Sequence, residues 1–102
     1  MTQKLLAAAP LNTTGTEILD VGHRMNVNQT QLFSIYTWGT LGAGATVHVD
    51  ALPEFGGATW VSAAQIDSTN FNKVLALQVR AIALRGRVAG GDGTTAVTMV
   101  VL

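Results

Sequence analysis

The sequence contains no cysteine, which excludes disulfide bonds and thiolate chemistry. Charge is scarce as well, since charged residues make up 12% of the chain against roughly 25% in an average soluble domain. The six lysines and arginines equal the acidic residues in number and are scattered, so no basic patch indicates nucleic-acid binding. No apolar run approaches the roughly 20 residues that a membrane-spanning helix needs. Neither nucleic acid nor a membrane is therefore expected as a partner.

The low charge leaves two explanations open for the surface. At 102 residues the chain has the length of one domain with a modest core, and 48% of its residues are hydrophobic. Either threonine, asparagine, glutamine and serine solvate the surface, or other subunits cover part of it. The second explanation predicts a homo-oligomer.

The first 15 residues predict an extended arm. A short helix-capable run at 4–9 ends at Pro10, and a turn sequence follows at 12–15. The run is too short for a signal peptide, so we expect the protein to be made and kept without Sec export. Few residues here are suited to a core, and such arms are mobile unless a neighbour holds them. We therefore divide the chain into an arm at 1–15 and a folded domain at 16–102.

The clearest hairpin lies within residues 39–63. Alternating residues at 45–52 and again at 58–64 predict two strands, and Pro53 with Gly56 and Gly57 predicts the turn between them. The glycine-rich residues 41–45 precede a strand and lack the GxxxxGK[ST] pattern, so they are not a phosphate-binding loop.

Further strands are predicted on both sides of this hairpin. Residues 16–21 form a short candidate, and the β-branched and aromatic run at 30–38 forms a strong one. Both faces of 30–38 are partly apolar, which predicts that the strand is covered on both sides. Near the C-terminus, residues 90–93 predict a hairpin turn before a strand at 94–102.

The stretch between these strands fits two structures. Val74, Leu77 and Ala81 have helical spacing after residues 67–70, which suit a helix N-terminus, whereas residues 75–81 also alternate as a strand does. We favour a strand at 77–84 with a bulge or bend near 85–87. Six or seven strands with frequent turn signals predict an all-β fold, a single antiparallel β-sandwich or jelly-roll-like domain.

No catalytic or metal-binding pattern is present. His23 and His48 lie on different segments, and nothing local brings Asp20 or Asp50 to them as further ligands. The serines lack a GxSxG elbow, and three of the six carboxylates lie in turns, where acidic residues are common for structural reasons. We therefore expect a protein that is not an enzyme and that needs no metal or cofactor.

The two tryptophans allow a second hypothesis. Trp38 and Trp60 lie within apolar strands, which favours a place in the core. If exposed, they are able to stack on a sugar, as in a carbohydrate-binding module.

Residues 44–49 (GATVHV), 56–61 (GGATWV), 79–81 (VRA) and 90–97 (GGDGTTAV) together resemble small structural proteins of tailed bacteriophages. Those proteins combine a valine-rich strand, an S-x-D-G-G-x-x-W turn, a late VRA strand and a glycine-rich final hairpin. The resemblance covers roughly residues 39–102. It departs at residues 53–55 (PEF), where serine and Asp-Gly are expected.

The resemblance implies a virion protein made in the host cytoplasm, most specifically a head decoration (cement) protein with a jelly-roll-like fold. A β-sandwich associated with the tail or fibre is the nearest variant. Decoration proteins often form trimers that clamp neighbouring subunits, so the implied partners are the major capsid protein and other copies of the chain. On this hypothesis the arm reaches a neighbouring subunit. Its candidate partner-binding residues are Lys4, Leu5, Leu6, Pro10 and Leu11.

Overall fold

Eight β-strands and no helix occur in the part of the chain that the structure, a computed structural model, describes: residues 3–20, 30–53 and 57–102. The strands are β1 (Gln3–Ala9), β2 (Leu19–Asp20), β3 (Gln31–Thr40), β4 (Thr46–Leu52), β5 (Val61–Ile66), β6 (Val74–Val79), β7 (Ala83–Ala89) and β8 (Ala96–Val101).

The strands form two four-stranded antiparallel sheets. The first sheet has the order β1-β8-β3-β6 and the second has the order β2-β7-β4-β5. One cluster of buried apolar side chains draws on both sheets, as in a β-sandwich. The prediction of an all-β antiparallel fold is confirmed.

The core follows from the two-residue period of the strands. Alternate residues of a strand point to opposite faces. In β3 the buried positions are Phe33, Ile35 and Thr37, and in β4 they include Val47 and Val49. Fully burying one large apolar side chain stabilises a fold by about 1.5–3 kcal/mol. The largest fully buried apolar side chains are Leu5, Ile35, Ile66, Leu84, Met99, Val47, Val49, Val88, Val97 and Val101.

Residues 3–9 differ from the predicted arm, because they form a strand of the chain's own first sheet. Leu5 and Leu6 are adjacent in sequence, yet both are buried. A register shift explains this: Lys4 lies opposite Val100 and Leu6 opposite Met99, which leaves Leu5 as an extra residue. Two neighbouring leucines break the alternation that identifies a strand. The described sandwich thus begins at Gln3, inside the segment predicted as an arm.

The predicted β4–β5 hairpin is confirmed by pairing from Val47 with Ile66 to Ala51 with Val61. Residues 54–56 of its turn lie outside the described residues. The predicted hairpin at 90–93 is wrong, because β7 and β8 belong to different sheets. The turn exists, but it carries the chain from the second sheet to the first.

The predicted strand at 77–84 is also wrong in its extent. It is divided at residues 80–82 into the end of β6 and the start of β7. Leu77 pairs with β3 in the first sheet, and Leu84 pairs with β4 in the second. The alternative of a helix around residues 72–77 is wrong too, since β6 begins at Val74. No bend forms at 85–87, because Gly86 lies inside β7.

Asp92 fastens the two loops that cross between the sheets at one end of the molecule. Its carboxylate accepts hydrogen bonds from Ala43 N (2.9 Å), Thr94 N (2.9 Å) and the Thr94 hydroxyl (2.6 Å). Led by the Thr94 hydroxyl, these donors lower the pKa of Asp92 to about 2. The carboxylate therefore holds both loops at all pH values above that pKa, and the contribution is lost only as the pH falls through about 2.

We predict that Asp92→Ala increases amide hydrogen exchange at Ala43 and Thr94, because both amides lose their acceptor. Exchange followed by NMR measures this effect. Asp67→Ala is the matched control, since Asp67 accepts the same pair of bonds from Thr69 within a different loop. Unchanged exchange at Ala43 in Asp92→Ala would contradict the proposed link between the loops.

Candidate functional site

The outer face of the first sheet carries large apolar side chains with nothing over them in the described chain. Leu32 is 67% exposed, Trp38 46% and Tyr36 37%, all on β3, and Val74 of β6 is 55% exposed. Tyr36 lies between Val74 on one side and Val100 on the other. We call the group Leu32, Tyr36, Trp38 and Val74 the aromatic face.

The aromatic face is also nearly without charge. The registers place Lys4 of β1 at its border, opposite Val100, and no other lysine, arginine, aspartate or glutamate on it. Its remaining outward positions are Ser34, Thr40, Ala76, Gln78, Ala96, Thr98 and Val100. Several large exposed apolar side chains on one sheet face mark an interaction surface more often than a single exposed leucine does.

These positions correct two predictions. The strand at 30–38 was predicted to be covered on both sides, but the described chain covers only the side of Phe33, Ile35 and Thr37. The preference for a core position is wrong for Trp38, which is exposed. The sequence signal was the apolar residues on both faces of the strand at 30–38. That signal does not show whether the chain itself or another molecule covers the second face.

The outer face of the second sheet is different, because a buried ionic cluster occupies it. Asp50 of β4 is 2% exposed, and its partners Arg85 and Arg87 lie on the neighbouring strand β7. Arg87 Nε and Nη2 donate to the two carboxylate oxygens at 2.9 and 3.2 Å. Arg85 Nε donates to Oδ2 at 3.4 Å. Alternation in both strands brings the three side chains to one face.

Trp60 covers one of these arginines. The Arg85 guanidinium carbon lies 4.4 Å from the centre of the Trp60 ring, which is a cation–π contact. Trp60 is half-buried, so it is neither a core residue nor a free platform. The preference for a core position therefore fails for Trp60 too.

The ionic cluster shifts the pKa values of Asp50 and of the neighbouring His48. Burial opposes the ionisation of Asp50, but the hydrogen bond and charge of Arg87, joined by Arg85, outweigh it and hold the pKa of Asp50 below its usual value. For His48, burial lowers the pKa, the charge of Arg87 lowers it further, and Asp50 opposes both. His48 is therefore neutral at pH 7.

The neighbouring Ser62, His48 and Asp50 do not form a catalytic triad. His48 Nδ1 lies 3.0 Å from the Ser62 hydroxyl, and Nε2 lies 3.2 Å from the Thr46 hydroxyl. A triad needs a carboxylate on one ring nitrogen to orient the histidine. Here both nitrogens face hydroxyls and Asp50 is held by arginines, so the arrangement is a network that stabilises the sheet face.

The predicted partner-binding residues divide into two groups. Leu5 and Leu6 lie in the core, whereas Lys4, Pro10 and Leu11 are exposed. A groove of about 720 Å³ runs along β1 and residues 13–17 and is lined by four of the five, all but Leu11. The backbone beside it is tied to β7 by a hydrogen bond from Gly15 N to Gly86 O (2.8 Å).

Two further observations concern the described residues only. They contain no cluster of three histidine or acidic side chains able to hold a metal ion, while His23 lies outside them. They also contain no helix of sufficient length and apolarity to cross a membrane.

The chain matches no protein-family model, no curated protein sequence and no solved structure.

Proposed function

We propose that the protein is a non-enzymatic component of a tailed-bacteriophage virion, a head decoration protein that binds across neighbouring subunits of the major capsid protein. The observation that carries this proposal is the aromatic face. A protein of this size that leaves several large apolar side chains together on a rigid sheet has a surface suited to permanent contact with another protein. The bacteriophage resemblance of residues 39–102 supplies the class of assembly.

The finer fold within this proposal is a jelly roll. Eight strands in two four-stranded sheets, with the orders β1-β8-β3-β6 and β2-β7-β4-β5, support it. The chain passes repeatedly between the sheets, through residues 41–45 and 90–95 among others. The result is a rigid body in which a whole sheet face is available for docking.

The aromatic face accounts for binding without charge steering. Fully burying a large apolar side chain contributes about 1.5–3 kcal/mol, and since these four are already partly covered, each adds roughly 1 kcal/mol on docking. Four such contributions correspond to about a thousandfold in affinity. Because the face is nearly uncharged, its binding depends little on salt.

We predict that Leu32→Ser combined with Trp38→Ser weakens binding to capsid shells at least tenfold, since two of the four apolar anchors are lost. Co-sedimentation with shells prepared without the protein measures this, at low and at high salt. The control is Val61→Ser, which removes a side chain of similar exposure from β5 of the second sheet.

Three results would count against the proposal. They are the absence of wild-type binding to shells, equal binding by the double variant, and particles lacking the protein that are as stable as complete ones.

The exposure of Trp38 gives specific support to a second function, a carbohydrate-binding or tail-associated module. Trp38 and Tyr36 lie on the same face of β3, and both rings are accessible for stacking on a sugar. In the variant Trp60→Phe, fluorescence reports Trp38 alone. A shift in its emission on adding oligosaccharides favours the carbohydrate module, and an emission that sugars leave unchanged favours the decoration protein.

A further inference from the structure

Each sheet has two edge strands, and in the described residues two of the four edges, β1 and β5, carry features that protect against pairing with another chain. Exposed edges are usually blocked by shortness, bulges or charged residues. The edge strand β2 has two described residues and directly precedes residues 21–29, which lie outside the described part of the chain. The edge strand β1 has two register shifts against β8 and carries Lys4. The edge strand β5 has a register shift against β4 that leaves Ala63 unpaired.

The fourth edge, β6, has none of these features. Its sequence, VLALQV, contains no charge, proline or glycine. Five of its side chains are exposed or half-buried. Its six residues pair with β3 in unbroken register from Gln31 with Val79 to Tyr36 with Val74. No described residue pairs with its other side. A regular, uncharged and open edge of this kind is a template for a further antiparallel strand.

We propose that β6 pairs with β6 of a second copy about a two-fold axis, which joins two first sheets into one eight-stranded sheet. This inference goes beyond the proposed function, and it depends on the edge alone and not on the capsid. A second copy fits this edge, because two uncharged β6 strands related by a two-fold axis pair antiparallel with no like charges opposite each other inside the strand.

A register with Ala76 on the axis is compatible with the charges at the ends of β6 and places a residue near the middle of the strand at the centre of the pair. Residues that lie opposite each other across an antiparallel pair point to the same face, so one residue must lie opposite its own copy on the axis. With Ala76 on the axis, Lys73 falls opposite Val79, and Arg80 falls opposite Asn72. Neither cation then faces the other directly, and Lys73 Nζ already donates to Thr69 O at 3.0 Å. This register also places the smallest side chain of β6 on the two-fold axis.

The side chains on both faces of the new pair are compatible. On the outer face, Val74 of one copy falls opposite Gln78 of the other, and Gln78 lies beside Leu32 of its own copy. On the inner face, Leu75 of one copy falls opposite Leu77 of the other. One pair of strand edges buries less than the roughly 800 Å² per partner of a standard interface, so we expect a dissociation constant in the micromolar range. The resulting assembly is a dimer, in place of the trimer that the bacteriophage resemblance favours.

Sedimentation of the intact chain across the micromolar range tests the proposal. Wild type is expected to approach twice the 10.7 kDa of one chain as its concentration rises. Ala76→Lys is expected to weaken dimerisation at least tenfold, because two ammonium groups then meet on the axis. Gln65→Lys, which adds the same charge to the β5 edge, is the control and is expected to dimerise as wild type does.

A second measurement uses the absence of cysteine and does not depend on how Ala76→Lys folds. Under mild oxidation, Ala76→Cys is expected to give a disulfide-linked dimer, and Gln65→Cys is expected to stay monomeric. A wild-type chain that is monomeric throughout, or a trimer, overturns the proposal. Equal dimerisation by Ala76→Lys, or equal cross-linking at both cysteine positions, overturns it too. Capsid binding is tested separately with the Leu32→Ser/Trp38→Ser variant, so failure of this proposal leaves the decoration function to its own test.

Discussion

The variant Leu5→Ala/Leu6→Ala is expected to be unfolded at 25 °C. Both side chains are buried, and truncating a buried leucine to alanine costs about 2–5 kcal/mol. The total stability of a domain is typically about 5–15 kcal/mol. Each single variant should lower the melting temperature by roughly 8–40 °C, at about 4–8 °C per kcal/mol for a domain of this size. Circular dichroism during heating measures this.

Leu11→Ala is the control for this prediction, because it removes the same side chain from an exposed position of the predicted arm. A surface substitution of this kind changes stability by no more than about 0.5 kcal/mol. Comparing the Leu5→Ala and Leu6→Ala variants with Leu11→Ala distinguishes a strand that packs in the core from a free arm. If Leu5→Ala and Leu6→Ala melt at the wild-type temperature, residues 3–9 do not contribute to the core of their own chain. The prediction of a free arm would then be the better description.

The second large effect is expected at the ionic cluster. Asp50→Ala removes the carboxylate to which the guanidinium groups of Arg85 and Arg87 both donate. Their two positive charges are then no longer neutralised. Removing one partner of a fully buried pair costs about 3–5 kcal/mol. Both arginines are partly exposed, so solvent screens the remaining repulsion and we expect a loss of about 2–3 kcal/mol. Chemical denaturation measures the loss.

Two companion variants make the test specific. Asp50→Asn keeps the size of the side chain but not its charge, and it should lose nearly as much stability as Asp50→Ala. Glu17→Ala removes an exposed carboxylate and should change stability by less than about 0.5 kcal/mol. Wild-type stability in Asp50→Ala would mean that the three side chains do not act as a unit.

The same cluster predicts a dependence on pH. The pKa of Asp50 is lower in the folded protein than in the unfolded chain, so its contribution is fully present above the unfolded value. It is lost as the pH falls through the folded value. The difference in stability between wild type and Asp50→Ala should therefore be constant at neutral pH and shrink in strong acid.

The strands that could be predicted are those whose alternation is unbroken. Residues 45–52 alternate between valine or alanine and polar residues, and β4 lies there almost as predicted. Alternation does not report which sheet a strand joins. It continues through Ala81 although the chain changes sheets at that point, and the predicted single strand is therefore two.

The candidate site was harder to predict than the fold, for a physical reason. The residues next to a tryptophan in sequence do not show whether its side chain is exposed or buried. Trp38 lies in an apolar strand, and only the packing of the two sheets leaves it outside the core. The ionic cluster did have a signal. Arg85 and Arg87 are two residues apart, so a strand must place both on one face, where a central strand with Asp50 offers a counter-ion.

The pairing of the first described strand with the last has a consequence for synthesis of the chain. Gln3 lies opposite Val101, 98 positions away, and β8 stands between β1 and β3 in the sheet. Contacts so distant in sequence form slowly, because a long loop must close before they are made. Synthesis on the ribosome proceeds at about 5–20 residues per second. The leucines of β1 therefore emerge before β8 and are not enclosed until Val101 has been added. The nascent chain thus exposes the leucines of β1 for several seconds, until β8 has left the ribosome and can pair with β1.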